Sequence, residues 1–247
     1  MDLKELPSNV GDDNISEANS LISSLPLCTD FQGKKLCTTW LKALTSALME
    51  RSKNHSFDHH PLLSDSPHGI IPFLELSVYQ ESSSPNLAKF SSLPRLFSTH
   101  MPLHAMHETL KGSPCKIVPV QEREGHIDLV VVLGVLLENP KQVLFMRYEE
   151  MKAEPRDQVK RLAEFLGCPF TTEEEDNGLV DEILDFCSLR NLSSLEVNKT
   201  KIFNKVDRSI FFRKGEVGDW KNYLNPEMEN KLDMIIQEKL QGSGLKF

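Results

Sequence analysis

No apolar run in this sequence is long enough to cross a bilayer. The longest, residues 129–137, has nine residues, against roughly 20 for a spanning helix. Positive charge is not in excess either: Lys+Arg 28 against Asp+Glu 36 leaves a net charge of −8. That excludes a general binder of nucleic acid or anionic membrane, which needs a basic surface, but leaves room for one local basic pocket. The five cysteines, Cys28, Cys37, Cys115, Cys168 and Cys187, are odd in number and form no C-x-x-C pair. A zinc site or disulfide framework is therefore not expected, and reduced thiols in a cytoplasmic protein are. Residues 1–19 carry acids and no apolar stretch, unlike a secretory leader, so the N-x-[ST] strings at Asn14, Asn54, Asn191 and Asn198 read as chance matches. No internal repeat is visible.

The remaining composition, 39% hydrophobic and 26% charged over 247 residues, is that of a globular chain, and a single α/β domain accommodates this length. Residues 1–27 are rich in Ser, Asp and Asn and read as a loose tail; residues 28–247 are then one domain. Over 38–51, Trp40, Leu41, Leu44, Ala47 and Leu48 give a helix with one apolar face, with Thr38 or Thr39 as its cap. Pro61, Pro67, Pro72 and Pro85 break residues 52–92 into a long irregular excursion. Strands are expected over 95–99, 116–120, 128–137 and 142–147. The unbroken apolar run in the third suits a parallel strand buried on both faces, or alternatively a buried helix. Helices follow: 156–166 closed by Gly167, one opened by a Thr172/Glu175 capping box, and one opened by Asn225-Pro226. Strands followed by flanking helices imply a three-layer α/β core around a central parallel sheet.

Four segments could carry chemistry. Gly33-Lys34-Lys35 runs into a helix start, where free N–H groups and the dipole favour a phosphate; it reads equally as a solvated basic turn, because the P-loop spacing fails. The segment 95–102 ends a strand at His100-Met101-Pro102, beyond which ligands bind in open α/β sheets. His100 there suits a general base, or a buried hydrogen-bonded histidine. In 211–221, two aromatics lead into Arg213-Lys214-Gly215: a guanidinium fork for phosphate oxygens beside a glycine whose backbone permits close approach, or an amphipathic surface loop. Tyr148 ends an apolar strand, where its hydroxyl serves a ligand or the fold.

Together these segments resemble the cytosolic sulfotransferases, most closely the plant branch acting on flavonols, hydroxylated steroids or desulfo-glucosinolates. The resemblance is carried by Thr38-Thr39-Trp40-Leu41-Lys42-Ala43-Leu44, His60-Pro61-Leu62-Leu63, Arg95 to Pro102, Val143 to Met151, Ala163 to Phe170, Asn191-Leu192-Ser193, Glu196 to Thr200, and Phe211 to Tyr223. It implies a P-loop-like α/β fold that moves a sulfuryl group from 3′-phosphoadenylyl sulfate to a hydroxyl on a small molecule, without a metal. It also implies roles. Lys35 neutralises the donor's leaving oxygen, Thr38 and Thr39 hold the 5′-phosphate, and Trp40 stacks near the adenine. His100 deprotonates the acceptor, Tyr148 lines the nucleotide site, and Arg213, Lys214 and Gly215 grip the 3′-phosphate.

The sequence departs from the family pattern in three places. Leu36 and Cys37 stand where the loop has a hydroxyl and a glycine, and the strand expected before that loop is missing. After Lys116-Ile117-Val118 the arginine and serine for the 3′-phosphate have no clear counterpart, so the fold is incomplete relative to the family. The C-terminal dimer motif is interrupted by Asn225-Pro226, which implies a monomer or weak homodimer. These departures leave a second expectation: an impaired or inactive relative that retains at most nucleotide binding.

Overall fold

The computed structural model describes residues 36–51, 56–73, 95–99, 116–121, 127–133, 143–199, 202–203, 206–212, 214–222 and 224–240. The chain divides into two units, Met1–Gln32 and Gly33–Phe247. The first, with the whole of the expected polar tail, lies outside the described residues, as do Lys35, His100 and Arg213.

Helix α1, Leu36–Glu50, is the hub of the larger unit. Its expected apolar face is there: Leu41, Leu44, Ala47 and Leu48 are fully buried. The opposite face is buried too, since Lys42, Thr45 and Ser46 are within 1% of complete burial. A helix covered on all sides is an interior element rather than a surface one. Neither threonine is its cap. Thr38 and Thr39 lie inside the helix, both buried, so tertiary packing overrides threonine's preference for the end.

Over 56–73, the described part of the excursion after α1, the chain is more ordered than its prolines suggest. Two 3₁₀ turns, Phe57–His59 and Pro61–Leu63, are capped by Ser56 and His60, whose Nδ1 accepts from the Leu62 N–H at 3.1 Å. The short helix α2, Pro67–Ile70, is capped by Ser66. Pro61 and Pro67 each sit at the start of their turn, where a missing N–H costs nothing.

The sheet has strands β1, Arg95–Thr99; β2, Lys116–Gln121; β3, Ile127–Leu133; and β4, Met146–Arg147, in the order β1-β3-β2-β4. β2 and β4 are parallel, and Phe73 and Val143 bridge in parallel to Ser98 and Ile117. β3 instead lies antiparallel to both β1 and β2, with Gln121 opposite Ile127 and Leu96 opposite Val132. The reversal corrects one expectation, that the apolar run 128–137 is a parallel strand. Residues 122–126 are too few for the crossover of a dozen or more residues that a parallel neighbour requires, but enough for a hairpin.

Beyond β4 come α3, Tyr148–Ala153; α4, Pro155–Leu166; α5, Thr172–Asp176; α6, Leu179–Phe186; α7, Leu189–Ser194; and α8, Glu196–Lys199. α4 ends as its sequence implies, at Gly167 in the left-handed conformation with φ +84°. The capping box opening α5 is shifted by one residue: Thr171 and Glu174 form it, while Glu175 pairs with Lys160. A two-stranded ribbon, β5 (Ile202–Phe203) and β6 (Val206–Asp207), precedes a 3₁₀ turn at Arg208–Phe211. Helix α9, Pro226–Leu240, starts as expected, with the Met228 N–H donating to Asn225 Oδ1 at 2.9 Å.

Arg51, immediately after α1, ties the two halves of the chain together. Its guanidinium donates to the carbonyls of Cys168 and Pro169, faces Glu174 at 3.3 Å and lies 3.9 Å over the Phe170 ring.

Candidate functional site

A cleft of about 240 Å³ opens where the first turns of α1 meet α3, the α6–α7 corner and the segment 211–215. α1 contributes Thr39 and Trp40; α3 contributes Tyr148 and Lys152, and α4 its first residue, Pro155. Leu184, Cys187, Ser188, Leu189 and Leu192 close one side, and Phe211, Phe212 and Gly215 the other. The walls are mostly apolar and aromatic, with a few polar groups at fixed places, the usual make-up of a small-molecule site.

The aromatic wall is specific in geometry. The Trp40 and Tyr148 rings meet edge to face, centroids 6.2 Å apart at 83°, a favoured arrangement for such pairs. Lys152, the one charged lining residue among those described, places Nζ 5.7 Å from the Trp40 ring. Trp40 Nε1 is buried without a hydrogen-bond partner, a donor whose desolvation is uncompensated within the described residues. Cys187 is fully buried, and burial pushes its thiol far above the usual range. It therefore stays protonated and serves as a small apolar wall, not a nucleophile.

Gly215 is required by the backbone and by packing. Its φ is +64°, and a Cβ there would fall 2.8 Å from Leu189 Cδ2. The arm carrying Phe211 and Phe212 can thus lie directly against α7. Lys214, the residue before it, is exposed and pairs with Asp219 at 3.2 Å.

Of the residues singled out from sequence, Thr39, Trp40, Tyr148 and Gly215 line this one cleft, though they come from three distant segments. Thr38 is buried beside Thr39, and Lys214 follows Arg213 just outside the lining set. His100, Lys35 and Arg213 lie outside the described residues.

Sequence reasoning missed a buried polar cluster behind Thr39. His68, on α2 and 1% exposed, places Nε2 2.9 Å from Thr39 Oγ1 and Nδ1 3.0 Å from Lys42 Nζ. Lys42 is fully buried, its Nζ 3.6 Å from the Phe73 ring centroid. Nothing in Ser66-Pro67-His68-Gly69 distinguishes this histidine from the other seven. The one usable signal was Lys42 itself, a charge inside an otherwise interior helix.

Comparisons with known proteins point to one family. A profile of the sulfotransferase domain matches residues 34–121 and 126–244. Cytosolic sulfotransferase 5 of Arabidopsis thaliana is 48% identical over 311 aligned positions, covering 94% of this chain and 96% of that one. Cytosolic sulfotransferase 6 of the same plant is 47% identical over 329 positions, covering 100% of both. With 247 residues here, 82 of those 329 positions face gaps in this chain. Among solved structures, an Arabidopsis thaliana protein provisionally assigned as a steroid sulphotransferase superposes with a TM-score of 0.58 at 28% identity, covering 98% of this chain and 100% of that one. Retinol dehydratase in complex with androsterone and the inactive cofactor PAP shares the fold, with a TM-score of 0.57 at 16% identity over 87% of this chain and 80% of its own. No helix among the described residues is long and apolar enough to cross a membrane. The profile match, the plant relatives and the shared fold together place this chain in the sulfotransferase family, among its plant cytosolic members.

Proposed function

We propose that the cleft holds the nucleotide of 3′-phosphoadenylyl sulfate and that the chain transfers its sulfuryl group to a hydroxyl of a small molecule in the cytoplasm. The acceptor is of flavonoid, steroid or desulfo-glucosinolate type. One observation carries this reading: Thr39, Trp40, Tyr148 and Gly215, from three distant segments of the sequence, line the same cleft. Retinol dehydratase, which shares the fold, is seen in complex with androsterone and the inactive cofactor PAP.

In this reading Trp40 and Tyr148 receive the base, and Thr38 and Thr39 at the first turns of α1 meet the 5′-phosphate, where backbone N–H groups and the helix dipole favour negative charge. Arg213, Lys214 and Gly215 hold the 3′-phosphate. Lys35 neutralises charge on the leaving oxygen, and His100 takes the acceptor proton. Positioning, charge neutralisation and one base suffice for such a transfer, as in phosphoryl chemistry. The interrupted dimer motif at Asn225-Pro226 favours a monomer or weak homodimer.

A second reading, nucleotide binding without turnover, is favoured by two facts: Cys37 stands at the loop position that needs a glycine, and 82 positions of a full-length relative are missing. Calorimetry with adenosine 3′,5′-bisphosphate, followed by a transfer assay on a panel of phenols and hydroxysteroids, separates the two. Micromolar binding, about −8 kcal/mol, with turnover above a His100→Ala control supports the transferase. Binding without such turnover supports the second reading, and no heat at millimolar ligand refutes both.

A further inference from the structure

Resting on the nucleotide reading above, we propose that His68, backed by Lys42, is a positioning residue that presents the Thr39 hydroxyl as a hydrogen-bond donor to the 5′-phosphate. The direction of the chain of hydrogen bonds follows from its buried end. Lys42 Nζ lies 3.6 Å from the face of Phe73, the geometry of a cation–π contact with an ammonium. An ammonium only donates, so His68 Nδ1, 3.0 Å away, is the acceptor. A neutral ring accepting at Nδ1 carries its hydrogen on Nε2, and Nε2–H donates to Thr39 Oγ1 at 2.9 Å. A threonine oxygen that accepts from the ring turns its own hydrogen away from it. Thr39 lines the cleft at the positive end of α1.

Three features hold the ring in place. Phe73 stacks on it at 5.5 Å and 15°, and Phe211 lies 4.2 Å away on the arm that forms the opposite wall of the cleft. The turn bearing His68 is clamped at its start: Asp65 Oδ1 accepts from the Ser66 N–H and from Arg208 Nη1, each at 2.8 Å. Gly69 leaves room for that carboxylate, because a Cβ there would fall 2.2 Å from Asp65 Oδ2. The relay is therefore rigid and has its charge at the far end, which polarises each successive hydrogen bond toward the cleft.

The test is calorimetry on the full chain with two probes, adenosine 3′,5′-bisphosphate and adenosine 3′-monophosphate, which lacks the 5′-phosphate. His68→Leu is expected to weaken the bisphosphate at least tenfold and leave the monophosphate unchanged. Thr39→Val is expected to do the same, and the double variant to be no weaker than either single one. His68→Gln, whose amide N–H stands near the position of Nε2–H, is expected to recover most of the affinity. If His68→Leu does not melt cooperatively, Lys42→Met takes its place with the same expected loss. An equal loss on both probes, or none, overturns the relay while the nucleotide reading stands. A wild-type chain that binds neither probe overturns both.

Discussion

Replacing Gly215 by alanine separates backbone strain from steric crowding at the mouth of the cleft. The φ of +64° is open to glycine and costs an L-residue about 1–2 kcal/mol. The new methyl would also sit 2.8 Å from Leu189 Cδ2, well inside the ordinary carbon–carbon contact of about 3.5–4.0 Å. Overpacking of this kind costs about 1–3 kcal/mol, reduced here because Leu189 is only half-buried and its terminal methyl can rotate. A total near 3 kcal/mol corresponds to a fall in melting temperature of about 6–12 °C for a chain of this size. Leu189 lines the cleft, so its displacement should weaken adenosine 3′,5′-bisphosphate as well. The assay is a double-mutant cycle by thermal melting. In a Leu189→Ala background, Gly215→Ala should cost only the backbone share, about 1–2 kcal/mol. If Gly215→Ala costs the same in both backgrounds, the steric argument is wrong. If it costs nothing in either, so is the conformational one.

Other perturbations follow from the same packing. Arg51→Met removes the donor to the Cys168 and Pro169 carbonyls and leaves Glu174 without its 3.3 Å partner; a loss of about 2–4 kcal/mol in urea unfolding is expected, and a change under about 0.5 kcal/mol would show that this tie is idle. His60 is buried against Phe57 and Phe186. Burial lowers its pKa below 6.5 despite the opposing pull of the Ser46 carbonyl and Glu50, so the folded state takes up a proton less readily than the unfolded one. Its contribution is thus full above pH 6.5 and lost as pH falls from there toward the folded value. Wild-type stability should decline more steeply between pH 6.5 and 5 than that of His60→Asn, which keeps a side-chain acceptor for Leu62; parallel curves would refute the assignment. Cys187 should resist alkylation at pH 8 until the protein is unfolded, as read by mass mapping. Labelling at the same rate before and after denaturation would contradict its burial.

Much of this architecture is legible locally. β1 falls on the residues its pattern marks, Gly167 closes α4 in the left-handed conformation, and Asn225 caps α9. These features depend on short-range chemistry, which a sequence displays directly. The misses depend on tertiary context. T-x-x-E fits both 171/174 and 172/175, and the pattern alone does not separate them; Thr171 and Glu174 form the box, while Glu175 faces Lys160 on α4. The apolar run of β3 signals burial but not direction, which the short connection from β2 settles instead. Trp40, Tyr148 and Gly215, which share the lining of one cleft, stand in chemically distinctive segments of the sequence. His68 does not, and its contacts to Thr39 and Lys42 come from another helix.

The burial of α1 on every side has a mechanical consequence. A helix with Lys42, Thr45 and Ser46 packed inside cannot roll or slide without exposing or orphaning those groups, so the jaw that carries Thr39 and Trp40 is the fixed one. Any tightening around a bound ligand is therefore expected over residues 214–218, which hold the left-handed glycines Gly215 and Gly218 and present Val217 to water. Amide hydrogen exchange should be slowest along α1 and respond to ligand chiefly over 214–218.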